Sequence, residues 1–186
     1  MYISESQNNI GITNEAVFCG EEMIVKTKFE KLFSQSNPLL LECGKKLESV
    51  DVAYQSFGKL NAAKDNVVLV NHALTGNAHI AGKISKEEID NSKHIKQLHQ
   101  YNKMFLNKEG WWSPLIGKGK AIDTNKYFVI CPNVLGSCYG TTGPASINPI
   151  TNNIYRMNLP EISVRDMIKV QKELFNKIGI NKIKFA

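Results

Sequence analysis

Arginine is nearly absent from this chain. Of 23 basic residues only Arg156 and Arg165 are arginines, and the lysines are scattered along all 186 residues. Readers of nucleic acid rely on arginine forks and clustered basic stripes. The nearest approach to a cluster, Lys26, Lys28 and Lys31, is interrupted by Glu30. A net charge of +6 therefore reads as a lysine-rich solvated surface, and no nucleic-acid partner is expected. Long hydrophobic runs are missing too. Nothing approaches the roughly 20 apolar residues that span a bilayer, and "MYISESQNNIG" has neither the basic start nor the apolar core of a signal peptide. No membrane association is expected. The four cysteines, at 19, 43, 131 and 138, make no C-x-x-C pair and no zinc-type spacing with histidine, so no metal site is expected and a reducing cytoplasm suits them. With 42% hydrophobic and 22% charged residues, wholesale disorder is excluded. The length suits one domain.

The first 20 residues are polar and without periodicity, and are expected to be loosely held. "NPLLLECGKKLESVDVAYQSFGKLN" reads as a hairpin: Pro38 to Glu42 forms one strand, Gly44-Lys45 the turn, and Val50, Val52 and Tyr54 share one face of the next strand. Val67 to Val70 is apolar without alternation, as in a central strand covered on both faces. Ile89, Ile95, Leu98, Tyr101 and Phe105 predict one amphipathic helix over 86–106. "EGWWSPLIGKGKAIDTN" reads as a packed loop, and Tyr127 to Cys131 as a second buried strand with Cys131 as a small hydrophobe. Four prolines and three glycines make 132–162 a long irregular connection, and such loops are often functional. Ser163-Val164-Arg165-Asp166 is a capping box. It opens a helix whose apolar face runs from Val164 to Ile178 and which Gly179 closes. "INKIKFA" begins another strand. Strands separated by helices imply a parallel sheet with right-handed crossovers, an α/β architecture.

The stretch most suggestive of chemistry follows the third strand, "NHALTGNAHIAG" from Asn71 to Gly82. A loop of small residues there can present a backbone N–H to a tetrahedral oxyanion, as in α/β-hydrolase folds. On these residues alone a plain turn in which Gly76 relieves strain is the simpler reading. His72 and His79 could each be a base, a ligand or a hydrogen-bonded support, and no carboxylate lies nearby at ligand spacing. His94 and His99 sit on a polar helix and are expected at the surface. Gly136-Ser137-Cys138-Tyr139-Gly140 imitates a nucleophile elbow with cysteine in place of serine. An elbow needs a helix directly after it, and "TTGPASINP" cannot start one, so Cys138 is set aside as nucleophile. No serine lies in a strand–elbow–helix context ahead of a later histidine, so no complete Ser–Asp–His triad is present in the expected order.

"NHALTGNAHIAG", "GWWSPLIGKGKAIDTNKYFVICPNVLGSCYGTTGPASINP" and "ISVRDMIKVQKELFNKIGI" together resemble, in order and spacing, the N-terminal half of the homoserine O-acetyltransferases. These are the α/β-hydrolase-fold acyltransferases of methionine biosynthesis. The resemblance covers roughly residues 38–186. It implies a cytoplasmic enzyme, a homodimer in full-length form, with no tightly bound cofactor. That enzyme would move an acetyl group from acetyl-CoA to the hydroxyl of L-homoserine through a serine ester. Leu74 matches the position whose backbone N–H forms half of the oxyanion hole, with Thr75, Gly76 and Asn77 expected to line the pocket beside it. Residues 21–186 would be the first part of a single α/β-hydrolase domain, ending before the nucleophile elbow, with the serine, acid and histidine beyond Ala186. On that expectation the isolated chain is inactive and aggregation-prone. An O-succinyltransferase, an acyltransferase acting on serine, a non-catalytic scaffold, and an esterase using Cys138 are the alternatives. Two departures stand out: residues 83–108 are longer than the usual link, and Lys118 occupies the place of a proline.

Overall fold

The computed structural model describes residues 18–19 and 22–186; the polar segment expected at 1–20 lies almost wholly outside them. Five strands form the main sheet: β1 (Lys28–Leu32), β2 (Val50–Phe57), β3 (Val67–Leu69), β4 (Phe128–Pro132) and β5 (Ile183–Phe185). Their spatial order is β5-β3-β4-β2-β1. β1 and β4 each run antiparallel to β2, while β4 and β5 each run parallel to β3. The sheet is therefore mixed, parallel only where helices supply the crossovers.

The register explains why Val67 to Val70 shows no polar alternation. Val67 and Leu69 on β3, with Phe128 and Ile130 on β4, face one core, which α3 (Val164–Ile178) covers with Val170, Leu174 and Phe175. Val68 and Val70, with Val129 and Cys131, face a second core containing Ile80, Ile84 and Ile116. Burial of both faces requires apolar residues at every position. Cys131 is the small buried hydrophobe expected, with its thiol pushed up to about 12 by burial against an opposing hydrogen bond from the His72 backbone.

α3 begins at the capping box. The Ser163 hydroxyl accepts from the Asp166 N–H (3.2 Å), and Asp166 accepts from the Ser163 N–H (3.1 Å). Asp166 is fully buried and also accepts from the Glu42 N–H and the Lys169 ammonium. It thus ties the helix start to the 39–47 region. Gly179 closes the helix in the left-handed conformation, at φ 75°.

Two expectations are corrected. The strand beginning at Val50 does not pair with Leu39–Leu40. That short segment pairs with Lys46–Leu47, and β2 lies between β1 and β4. β1 itself, "KFEKL", escaped notice because three of its five residues are charged, as befits the edge of a sheet. β3 remains third in the main sheet, with β1 rather than 38–42 as the first strand. The helix expected over 86–106 is two helices, α1 (Lys86–Asn91) and α2 (Lys96–Met104). On a continuous helix Ile89 would point about 120° away from Tyr101 and about 160° away from Phe105. The break at buried Ser92, whose hydroxyl donates to Ile89 O and accepts from Asn102, lets Ile89, Tyr101 and Phe105 reach the same core.

Candidate active site

At the C-terminal end of β3 the chain leaves the sheet and turns at once. Gly76 N–H donates to Ala73 O (2.8 Å), which makes Leu74 and Thr75 the central residues of a β-turn. Neither the Leu74 N–H nor the Thr75 N–H has an acceptor among the described residues. Leu74 is 95% exposed. Such unpaired backbone donors, at the end of a strand with small residues around them, are what an oxyanion-binding loop must offer.

The loop is held at both ends by the segment following β4. His72 is buried, with Nδ1 2.8 Å from Ala73 O, while its Nε2 lies 3.2 Å from the Val134 N–H. A carbonyl can only accept and a backbone N–H can only donate, so Nδ1 carries the proton and Nε2 is the acceptor. At the far end Ala78 N–H donates to Asn133 Oδ1 (2.8 Å). Asn133 is buried and fully engaged: its Nδ2 donates to Tyr139 O, its N–H to Ala53 O, and its carbonyl accepts from the Thr141 hydroxyl. Asn71, where the loop begins, accepts from Gln171 of α3.

Beneath the turn the polar groups face inward. Asn77, expected with Thr75 and Gly76 to line a pocket, is only 4% exposed, and its Oδ1 accepts from the His79 N–H. Asn77 also supports the loop from within, its carbonyl accepting from the Trp111 indole N–H (3.3 Å). His79 is buried, with Nε2 bonded to Gly82 O (3.0 Å) and Nδ1 to the Tyr101 hydroxyl (3.3 Å). Burial pushes its pKa down against the opposing Gly82 bond, and the neutral ring is a structural tie. Glu88 on α1 is buried as well. Burial pushes its carboxyl up, against the hydrogen bonds from Thr27. The long 83–108 segment is thus anchored to the base of the loop by Tyr101 and to the sheet by Glu88.

The remaining candidates fall elsewhere. Cys138 is exposed in an irregular loop with no helix after it, which confirms that Gly136–Gly140 is no nucleophile elbow. His94 is exposed, but His99 is half-buried and bonded to Ile89 O. Lys118 lies exposed between the short paired strands Ile116–Gly117 and Ile122–Asp123. No group of three His, Cys, Asp or Glu among the described residues could hold a metal ion. Among them, no helix is long and apolar enough to cross a membrane. Asn133 and Val134 belong to no motif that sequence reasoning singles out. Their one signal was position, directly after an apolar strand.

β5 lies parallel beside β3, with Ile183 opposite Val67 and Phe185 opposite Val68. Its C-terminal end therefore points to the same edge of the sheet as the Ala73–Gly76 turn. None of the models of known protein families matches the chain. Individual proteins do. The homoserine O-acetyltransferase of Moorella thermoacetica is 47% identical over 160 residues, 86% of this chain and 37% of that protein. The homoserine O-acetyltransferase of Methanococcus vannielii is 48% identical over 153 residues, 82% of this chain and 27% of its own length. The crystal structure of homoserine O-acetyltransferase from Bacillus anthracis matches with a TM-score of 0.68 at 34% identity, covering 87% of this chain and 39% of that one. Esterase E22 matches with a TM-score of 0.67 at 32% identity, covering 86% and 39%. The chain spans little more than a third of the length of the first of these curated relatives. With likeness of this degree over most of its residues, the chain matches part of the homoserine O-acetyltransferases and carries the corresponding part of the α/β-hydrolase fold.

Proposed function

We propose that the protein to which these residues belong transfers an acetyl group from acetyl-CoA to the hydroxyl of L-homoserine, in the cytoplasm and as a homodimer, and that these residues supply the oxyanion side of its active site. The observation that carries this reading is the unpaired Leu74 N–H on a braced turn at the end of β3. A serine on the turn after β5, outside these residues, gives its proton to a histidine as it attacks the thioester carbonyl. The carbonyl oxygen becomes an oxyanion, which the Leu74 N–H and the N–H following the serine receive. Collapse expels the CoA thiolate, protonated by a histidine, and leaves an acetyl-serine. The homoserine hydroxyl, losing its proton to the histidine, then attacks that ester, the same two donors receive the second oxyanion, and the histidine returns the proton to the departing serine. Thr75 and Gly76 lie beside the reacting carbonyl. In this reading acetyl-CoA is a co-substrate and no cofactor is tightly bound.

A second reading has a specific basis in the likeness to esterase E22, nearly equal to that to the Bacillus anthracis acetyltransferase. In it, water rather than homoserine takes the acetyl group. The oxyanion side is common to both, so these residues do not select the acceptor. A succinyl donor would use the same side as well.

The test is Leu74→Pro in the full-length protein. Leu74 is the first central residue of its turn, with a negative φ, a position that proline favours. The substitution therefore deletes the N–H while suiting the turn. The expected loss in kcat is about 10²–10³, with folding retained by circular dichroism. Analysing the wild-type product as O-acetylhomoserine or free acetate separates the two readings. Full activity in Leu74→Pro would sink the oxyanion assignment in both.

A further inference from the structure

We propose that His72 is the residue that aims the Leu74 N–H, a positioning role exerted through the peptide plane that the two share. This rests on the assignment of Leu74 as an oxyanion donor. A trans peptide is planar, and its C=O and N–H point in opposite directions; no peptide bond among the described residues is cis. The Leu74 N–H and the Ala73 C=O belong to one such unit. Holding the carbonyl oxygen therefore fixes the direction of the N–H.

Ala73 O is held twice, by the Gly76 N–H and by His72 Nδ1–H, each at 2.8 Å. The Gly76 bond lies within the turn, so it moves with the turn. His72 connects the plane to something outside it, because Nε2 accepts from Val134 N–H, just beyond β4. The adjacent residue, Asn133, pins the far end of the same loop through Ala78. Two consecutive residues at the end of one strand thus brace both ends of the loop leaving its neighbour.

Side-chain packing does not substitute for this brace, since Ala73, Leu74 and Thr75 are all exposed. An oxyanion donor works only when preorganised, and a misplacement of about 1 Å can cost on the order of 100-fold in rate. His72 is suited to the task because one rigid ring offers a donor and an acceptor on different sides. Only the neutral ring with its proton on Nδ1 does both.

The experiment uses the full-length protein with three substitutions. His72→Asn keeps an amide donor near the Nδ1 position and loses the distal acceptor. His72→Gln keeps an acceptor near Nε2 and loses the proximal donor. His72→Leu loses both. His72→Leu is expected to lower kcat for acetyl transfer by about 10- to 100-fold while KM for acetyl-CoA and for homoserine stays unchanged. His72→Asn should recover more of kcat than His72→Gln, because it keeps its hold on Ala73 O. An effect acting only through stability would instead follow the melting temperatures of the variants. In parallel, ¹⁵N NMR of the wild-type ring should show Nδ1 protonated and Nε2 bare, the reverse of the preference of free imidazole. An Nε2–H ring, or full kcat in His72→Leu, would overturn the proposal. If the wild-type protein transfers acetyl to no acceptor, the enzymatic reading fails separately. The ring tautomer and the exchange rate of the Gly76 amide, which donates to Ala73 O, in His72→Leu then decide whether His72 holds the turn: an Nδ1–H ring with faster exchange in the variant supports it, and an unchanged rate overturns it.

Discussion

Adding one methyl group at Gly110 tests the packing that supports the site. Gly110, Trp111 and Trp112 lie against residues 79–82. The three N–H groups donate to Gly82 O (2.9 Å), His79 O (3.3 Å) and Ile80 O (2.7 Å) respectively. A Cβ on Gly110 would fall 2.7 Å from Ala81 Cα and closer still to Ala81 N and the Ile80 carbonyl carbon, where ordinary contact begins at 3.4 Å. The obstacles are backbone atoms, so no side-chain rotation relieves the clash. The two segments must part, which weakens three backbone hydrogen bonds worth roughly 1 kcal/mol each, giving a cost of about 2–4 kcal/mol for Gly110→Ala. In the full-length protein the melting temperature should fall by at most about 4–16 °C. Gly110 is not in the left-handed region, so the effect is one of space alone. Gly119→Ala is the contrast: nothing lies within 4 Å there, but φ is +70°, and only backbone strain of about 1–2 kcal/mol applies. Both tryptophans of the chain lie at this contact, with ring centroids 5.1 Å apart, so urea unfolding followed by indole fluorescence reads it directly. If Gly110→Ala melts with the wild type and emits at the same wavelength, the close-approach reasoning is wrong.

Further outcomes are expected at other sites. Burial raises the pKa of the Asp166 carboxyl, but the bonds from Lys169, Ser163 and Glu42 offset this and hold it below its ordinary value. Its contribution is therefore present above the unfolded value of about 3.9 and is lost as pH falls through the lower folded value. Asp166→Asn should cost about 1–3 kcal/mol at neutral pH, and chemical denaturation should show this difference shrinking in acid. Glu88 has the opposite sign, since its folded pKa is raised, first by burial. Stability should decline as pH rises from about 4.3 through the folded value, and Glu88→Gln should flatten that slope. Cys138→Ser should leave acetyl transfer intact when product formation is assayed, and loss of activity would restore the thiol as a candidate nucleophile.

Much of the fold was legible because it rests on local chemistry. The apolar runs at Val67 and Phe128, the capping box at Ser163–Asp166 and the closing Gly179 each announce themselves within a few residues. Pairing was less accessible. β1 carries lysines and a glutamate because it is an edge, and its partnership with β2 lies 18 residues or more along the chain, so the nearer Leu39–Leu40 seemed the better neighbour. The break between α1 and α2 depends on the buried meeting of Ser92 with Asn102, which periodicity does not report.

The site divides in the same way. Residue type and order alone pointed to the loop after the third strand as one that could present an amide, and set Cys138 aside as an elbow nucleophile for want of a helix after it. Only the tertiary structure decided which way the groups face. It turned Asn77 inward and left the Leu74 N–H free, and it brought Asn133 and Val134 against a loop 55 or more residues earlier in the chain. The reason is physical. An apolar residue buries itself wherever it stands, so its pattern is visible along the chain, whereas a hydrogen bond needs a partner at one distance and direction, which only the folded chain supplies.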